Sequence, residues 1–160
     1  MHELKQYEEY EEATAKALSL DPDCHAAWMN RGRALYLLGR PWVEVAQHYD
    51  KAIGLRPDDP EIWLLKAATA DNSGWHQEAV DTFDKALSLK PDFPEAWVGK
   101  GIALLNSENY QEALEAFDKA ISLRPDDPDM WEWKSRVLRR MGRHEEAQEA
   151  FDKAMSLKLE

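Results

Sequence analysis

Histidine, cysteine, aspartate and lysine are the side chains in this chain that could do chemistry, and their spacing argues against it. His25, His48, His76 and His144 recur near predicted helix ends but fall in different structural units. Cys24 and His25 are adjacent, and neighbours at a helix start point apart instead of closing on one metal ion. His144-Glu145-Glu146 opens like a zinc-protease helix, but Gln148 stands where the second histidine is required. Asp84, Asp118 and Asp152 precede Lys85, Lys119 and Lys153 in one recurring local context. They read as solvated charges on an outer face, not as acid–base pairs. With no glycine-rich phosphate loop either, no catalytic residue, metal ligand or cofactor is expected.

The recurrence itself is the stronger signal. Trp28, Trp63, Trp97 and Trp131 lie 35, 34 and 34 residues apart. Pro22, Pro57, Pro91 and Pro125 keep the same steps, while Tyr49, Phe83, Phe117 and Phe151 in the aromatic series, and Ala52, Ala86, Ala120 and Ala154, step by a uniform 34. Phe-Asp-Lys-Ala occurs literally at 83–86, 117–120 and 151–154. The one extra residue lies between Gly39 and Val45, most simply at Pro41, where it lengthens a turn without rotating a helix. A period in this range marks stacked repeats, whose work is done by the surface they build.

Each unit reads as two helices. Pro57 stops one helix, Asp59 caps the next and Pro60 occupies its first turn. The same order recurs at Lys90–Trp97, without the aspartate, and at Arg124–Trp131. Gly39, Gly74 and Gly142 supply the left-handed residue that ends the first helix. Glu108-Asn109 stands there in the remaining unit, and Asn109 is the expected left-handed residue. In the second helix Ala79, Phe83 and Ala86 share one face. Gly32, Ala67, Gly101 and Ser135 are small enough to let the two helices approach, with the aromatic filling the gap.

Tryptophan, small residue, turn glycine, alanine, aromatic, alanine and proline in this register resemble the tetratricopeptide repeat family over essentially the whole chain. The resemblance implies an all-α, right-handed superhelical solenoid of antiparallel hairpins with about nine helices. Residues 1–160 then form one array: a lone helix at 2–20, and repeats at 25–57, 60–91, 94–125 and 128–160. Where the family usually has leucine three residues after the tryptophan, this chain has Arg31, Lys66, Lys100 and Lys134. Their stems can cover apolar surface while the charge reaches water.

At 160 residues and 44% hydrophobic content, the chain can bury a continuous core along such an array. No apolar run is long enough to span a membrane and no signal peptide opens the chain, so no membrane partner is expected. One cysteine suits a reducing compartment, and the placement expected from these features is cytoplasmic. Of the net charge of −11, first-type helices carry +4 and second-type helices −11, with the connections negative. Because the family places first-type helices inside its superhelix, the resemblance implies a mildly basic inner wall and an acidic exterior that repels nucleic acid.

Carried over position by position, the inner groove comprises Met29, Asn30, Arg33, Tyr36 and Leu37, then Leu64, Leu65, Ala68, Asp71 and Asn72. Val98, Ile102, Leu105 and Asn106 follow, then Glu132, Trp133, Arg136, Arg139 and Arg140. The middle is apolar and the C-terminal end is an arginine cluster, suited to a peptide or helix segment with an acidic end. The lysine–asparagine set with which some family members grip a chaperone tail is not matched here, since Arg33 alone has the right kind of charge. The expected role is a non-catalytic scaffold for a protein or peptide partner. The alternative is self-assembly, or a place in a longer array, through end helices: Tyr7, Tyr10 and Ala13 at one end, and Phe151, Met155 and Leu157 in the unit ending at Glu160.

Overall fold

The computed structural model describes residues 2–159, with side chains from residue 4 onward. Met1 and Glu160, the outer limits of the expected array, lie outside the described residues. Nine α-helices and no strands occur among the described residues. They are α1 (His2–Leu20), α2 (His25–Leu37), α3 (Trp42–Leu55), α4 (Pro60–Asn72), α5 (His76–Leu89), α6 (Pro94–Asn106), α7 (Tyr110–Leu123), α8 (Pro128–Arg140) and α9 (His144–Leu159). The chain is an all-α solenoid in which α2/α3, α4/α5, α6/α7 and α8/α9 pack as hairpins and α1 packs against α2.

Local chemistry accounts for the helix limits. Asp59 and Asp127 each accept a hydrogen bond from the backbone N–H two residues on, at 3.0 Å, and proline follows each as the first helical residue. Phe93 takes that place without a side-chain cap. The turn at 38–41 holds one residue more than those at 73–75, 107–109 and 141–143, so the insertion is absorbed in a turn.

All four turns close in the same way. Backbone N–H groups of Arg40, Trp75, Asn109 and Arg143 donate to carbonyls five residues back, at 2.8–3.0 Å. That closure needs a left-handed residue, and Gly39, Gly74 and Gly142 have φ of 70°, 84° and 75°. In the third turn the residue is Glu108 (φ 63°), not Asn109, which has φ −84° and precedes α7. Register overrides residue preference here, because the two hydrogen bonds that close the turn fix which position must be left-handed.

The repeated tryptophans and prolines are physically coupled. Trp28, Trp63, Trp97 and Trp131 donate through Nε1 to the carbonyls of Pro22, Pro57, Pro91 and Pro125 at 2.7–2.9 Å, tying each first-type helix to the connection before it. Tyr49, Phe83 and Phe117 are fully buried at the hairpin junctions. A Cβ at Gly32 would lie 3.1 Å from the Tyr49 ring, and one at Gly101 2.8 Å from Phe117. The Tyr49 hydroxyl bonds to Thr69 Oγ1 at 3.1 Å, and burial pushes its phenol above the ordinary range against that hydrogen bond.

A second ladder of contacts corrects the reading of the recurring charges. Lys66, Lys100 and Lys134 pair with Asp50, Asp84 and Asp118 of the preceding hairpin at 2.7, 2.6 and 2.6 Å. The lysines that replace the family's leucine therefore latch successive hairpins, and Asp84 and Asp118 are not free solvated charges. These aspartates remain half exposed, so each latch contributes modestly to stability and more to register.

Candidate functional site

First-type helices α2, α4, α6 and α8 each touch the next one in the series, whereas among the described residues second-type helices touch none of their own kind. The array therefore bends with its first-type helices on the inside. Along that inner wall Met29, Tyr36, Leu64, Leu65, Ala68, Val98, Ile102, Leu105 and Trp133 are half-buried and packed against the core. Asn30 is also half-buried, while Arg33, Asn72, Asn106, Arg136, Arg139 and Arg140 are exposed. The structure thus gives an apolar strip with polar side chains at its margins.

Three polar wall positions are occupied by internal contacts. Asp71 is buried, accepts from the Asn106 amide at 3.1 and 3.3 Å, and lies 2.6 Å from His76 Nδ1. This knot joins α4, α5 and α6, so Asp71 is not free groove lining and the Asn106 NH2 is already engaged. Glu132 pairs with Lys158. His76 is correspondingly a structural partner of Asp71, not an independent surface residue. His48 lies 3.0 Å from the Glu44 carbonyl. No group of three or more potential metal ligands converges among the described residues.

At the ends of α6 and α8 the wall opens into a cavity of about 350 Å³ lined by Leu105, Asn106, Glu108, Tyr110, Arg136, Arg139 and Arg140. Among the described residues no carboxylate lies within salt-bridge distance of these three arginines. Aromatic faces hold two of them instead. The Arg136 guanidinium carbon sits 4.1 Å from the Trp133 ring centre, and Trp133 stacks on Phe117 with centroids 6.0 Å apart and planes at 2°. Arg139 lies 5.6 Å from the Phe151 ring. A guanidinium held by its face keeps its N–H edge free for an oxygen acceptor.

Glu108 and Tyr110 are cavity residues that the sequence reading did not assign to the wall. Their signal was indirect: Glu108 lies in the turn that follows Asn106, and Tyr110 directly after it. At the opposite end of the α6–α8 seam, Arg124 pairs with Glu95. Burial raises the Glu95 carboxyl, but hydrogen bonds from its own backbone N–H and from Arg124 outweigh this and hold it below the ordinary range. A larger depression of about 600 Å³ lies between α6 and α7, outside the expected wall, and includes the Trp97 ring and the latched Lys100. No helix of the described residues is long and apolar enough to cross a membrane.

Comparison with known proteins agrees with this architecture. The tetratricopeptide repeat family model matches residues 8–60, 44–94, 64–128 and 98–156. A crystal structure of MamA is 21% identical, covers 92% of this chain and 86% of its own, and superposes with a TM-score of 0.83. MamA 41-end from Desulfovibrio magneticus RS-1 is 20% identical, with 99% and 96% covered and a TM-score of 0.80. YrrB, described as a TPR protein with an unusual peptide-binding site, is 20% identical, with 98% and 80% covered and a TM-score of 0.77. At these identities the likeness concerns the fold. No curated protein matches the chain in sequence.

Proposed function

Since the chain belongs to the tetratricopeptide repeat family, we propose that it is a non-catalytic scaffold that holds a protein segment against its inner wall. The observation that carries this reading is the strip of half-buried apolar side chains, from Leu64 to Trp133, ending at three arginines without carboxylate partners among the described residues. Solvated apolar surface next to unneutralised cations favours a segment with an apolar centre and an acidic end. The acidic second-type helices disfavour nucleic acid, whose phosphates they repel.

Replacing Arg136, Arg139 and Arg140 together with alanine tests the acidic anchor. Binding to acidic peptides, followed by titration calorimetry, is expected to weaken about tenfold or more as charge-assisted hydrogen bonds are lost. Unchanged binding removes the anchor. An Ile102→Glu substitution tests the apolar strip separately, because it places charge at a half-buried wall position.

One observation favours a second reading, association through α9. Asp152 occupies the position of Asp50, Asp84 and Asp118, yet it accepts from Gln148 of its own helix at 2.7 Å instead of from a lysine of another hairpin. Phe151 is half-buried where Tyr49, Phe83 and Phe117 are fully enclosed. A first-type helix carrying a lysine, whether from a longer array or from another molecule, would complete both contacts. Light scattering across concentration separates the readings, since a strict monomer at high concentration rules out self-association.

A further inference from the structure

The charge and geometry of the arginine cavity point to a more specific ligand than an acidic residue. We propose that it reads a phosphorylated side chain on a peptide lying along the inner wall, a proposal that rests on the groove reading above. Three guanidinium groups and the Glu108 carboxylate leave the cavity a formal charge of +2. A phosphomonoester carries about −1.5 to −2 near pH 7 and offers three acceptor oxygens, whereas one carboxylate offers a single charge and two oxygens. The phosphate therefore matches the charge and offers one oxygen to each guanidinium group.

Preorganisation supports the same assignment. Arg136 rests on the Phe117–Trp133 stack and Arg139 lies over Phe151, so neither needs a carboxylate to fix its direction. Compensation of the negative helix end accounts for Arg139 and Arg140, which stand in the last turn of α8. It does not account for Arg136, one turn earlier, nor for the convergence of all three on one cavity with the Tyr110 side chain. The source of the phosphate is a peptide, because the adjoining surface is an apolar strip and the exterior second-type helices sum to −11, which opposes an anionic membrane or a nucleic acid.

The test uses the full chain and a randomised peptide library with one fixed phosphoserine, selected for binding and then resynthesised with serine or glutamate at that position. The phosphopeptides are expected to bind about tenfold or more tightly than their serine forms. In the Arg136→Gln/Arg139→Gln variant that preference falls to within about twofold, because the charge-assisted bonds are gone. Thermal unfolding checks that the variant, altered at two exposed positions, keeps its fold. Glutamate forms that bind as tightly as phosphoserine forms overturn the proposal and leave a simple carboxylate anchor. Serine forms that bind equally, with NMR shifts at Ile102 and Trp133, overturn it while the groove reading stands. If no library peptide shifts those wall signals, both readings fall. Tighter binding to vesicles containing a phosphoinositide, or to an oligonucleotide, overturns the assignment to a peptide.

Discussion

Two junctions built from the same repeat present different walls, and the contrast is sharpest where Gly99 in one corresponds to Trp133 in the other. Between α5 and α6, the Phe83 ring runs against Gly99, where an added Cβ would fall 2.3 Å from Cζ. Between α7 and α8, the position one period later carries Trp133, which lies flat on Phe117 and supports Arg136. Within its own hairpin the Phe117 ring also lies close to Gly101, as the Tyr49 ring does to Gly32. The same buried phenylalanine thus closes a smooth seam in one place and founds an aromatic shelf in the other. A repeat can keep its core grammar and still differentiate its working surface through the residues that neighbour the conserved ring.

Removing the foundation of the shelf is the largest way to break this contrast. Phe117→Ala leaves a cavity at a fully buried site and should cost about 3–5 kcal/mol, measured by urea denaturation. It also removes the face on which Trp133 rests, so anion binding at the arginine cavity should fall even in protein that remains folded. A loss of stability with Arg136 function intact would show that Trp133 holds its place without Phe117.

Filling the seam is the next test. Gly99→Ala sets a methyl group against the buried Phe83 ring, and the overpacking of about 1–3 kcal/mol is offset by about 1 kcal/mol of helix propensity, for a net loss of up to about 2 kcal/mol. A net gain of about 1 kcal/mol would mean that the ring at this junction can shift as freely as a surface side chain. The corresponding wall position at 133 already holds a large side chain, so the contrast lies in ring placement and not in the fold.

The periodic part of this architecture was legible in the residues. Tryptophan, proline, aromatic and alanine spacings locate every hairpin, because each marks a contact made again in every unit. Asp59 and Asp127 cap as their types predict. What was not legible depends on pairs of residues brought together across units. Neither Lys66 nor Asp50 announces the other, because each taken alone is an ordinary surface charge. The same holds for the knot of Asp71, His76 and Asn106, and for Gly99, which reads as a helix-weakening residue until Phe83 is set against it. The wall residues follow from the family resemblance, but their division into free and engaged side chains needs the packing.

The smallest expected effect sharpens the arginine end itself. Glu108 is held at positive φ by the hydrogen bonds of its turn, a conformation that costs an L-residue with a Cβ about 1–2 kcal/mol. Glycine removes that strain but adds freedom to the unfolded chain, so Glu108→Gly should stabilise the protein by a net of about 0.5–1 kcal/mol. The three other turns already carry glycine at this position, and the substitution brings the third into line with them. It also deletes the acidic group lining the arginine cavity, so oxyanion binding should strengthen as stability rises. Glu108→Gln separates the two effects, since it removes the charge and keeps the backbone strain. If Gln strengthens binding and Gly alone raises the melting temperature, Glu108 moderates the cavity's charge while straining its turn.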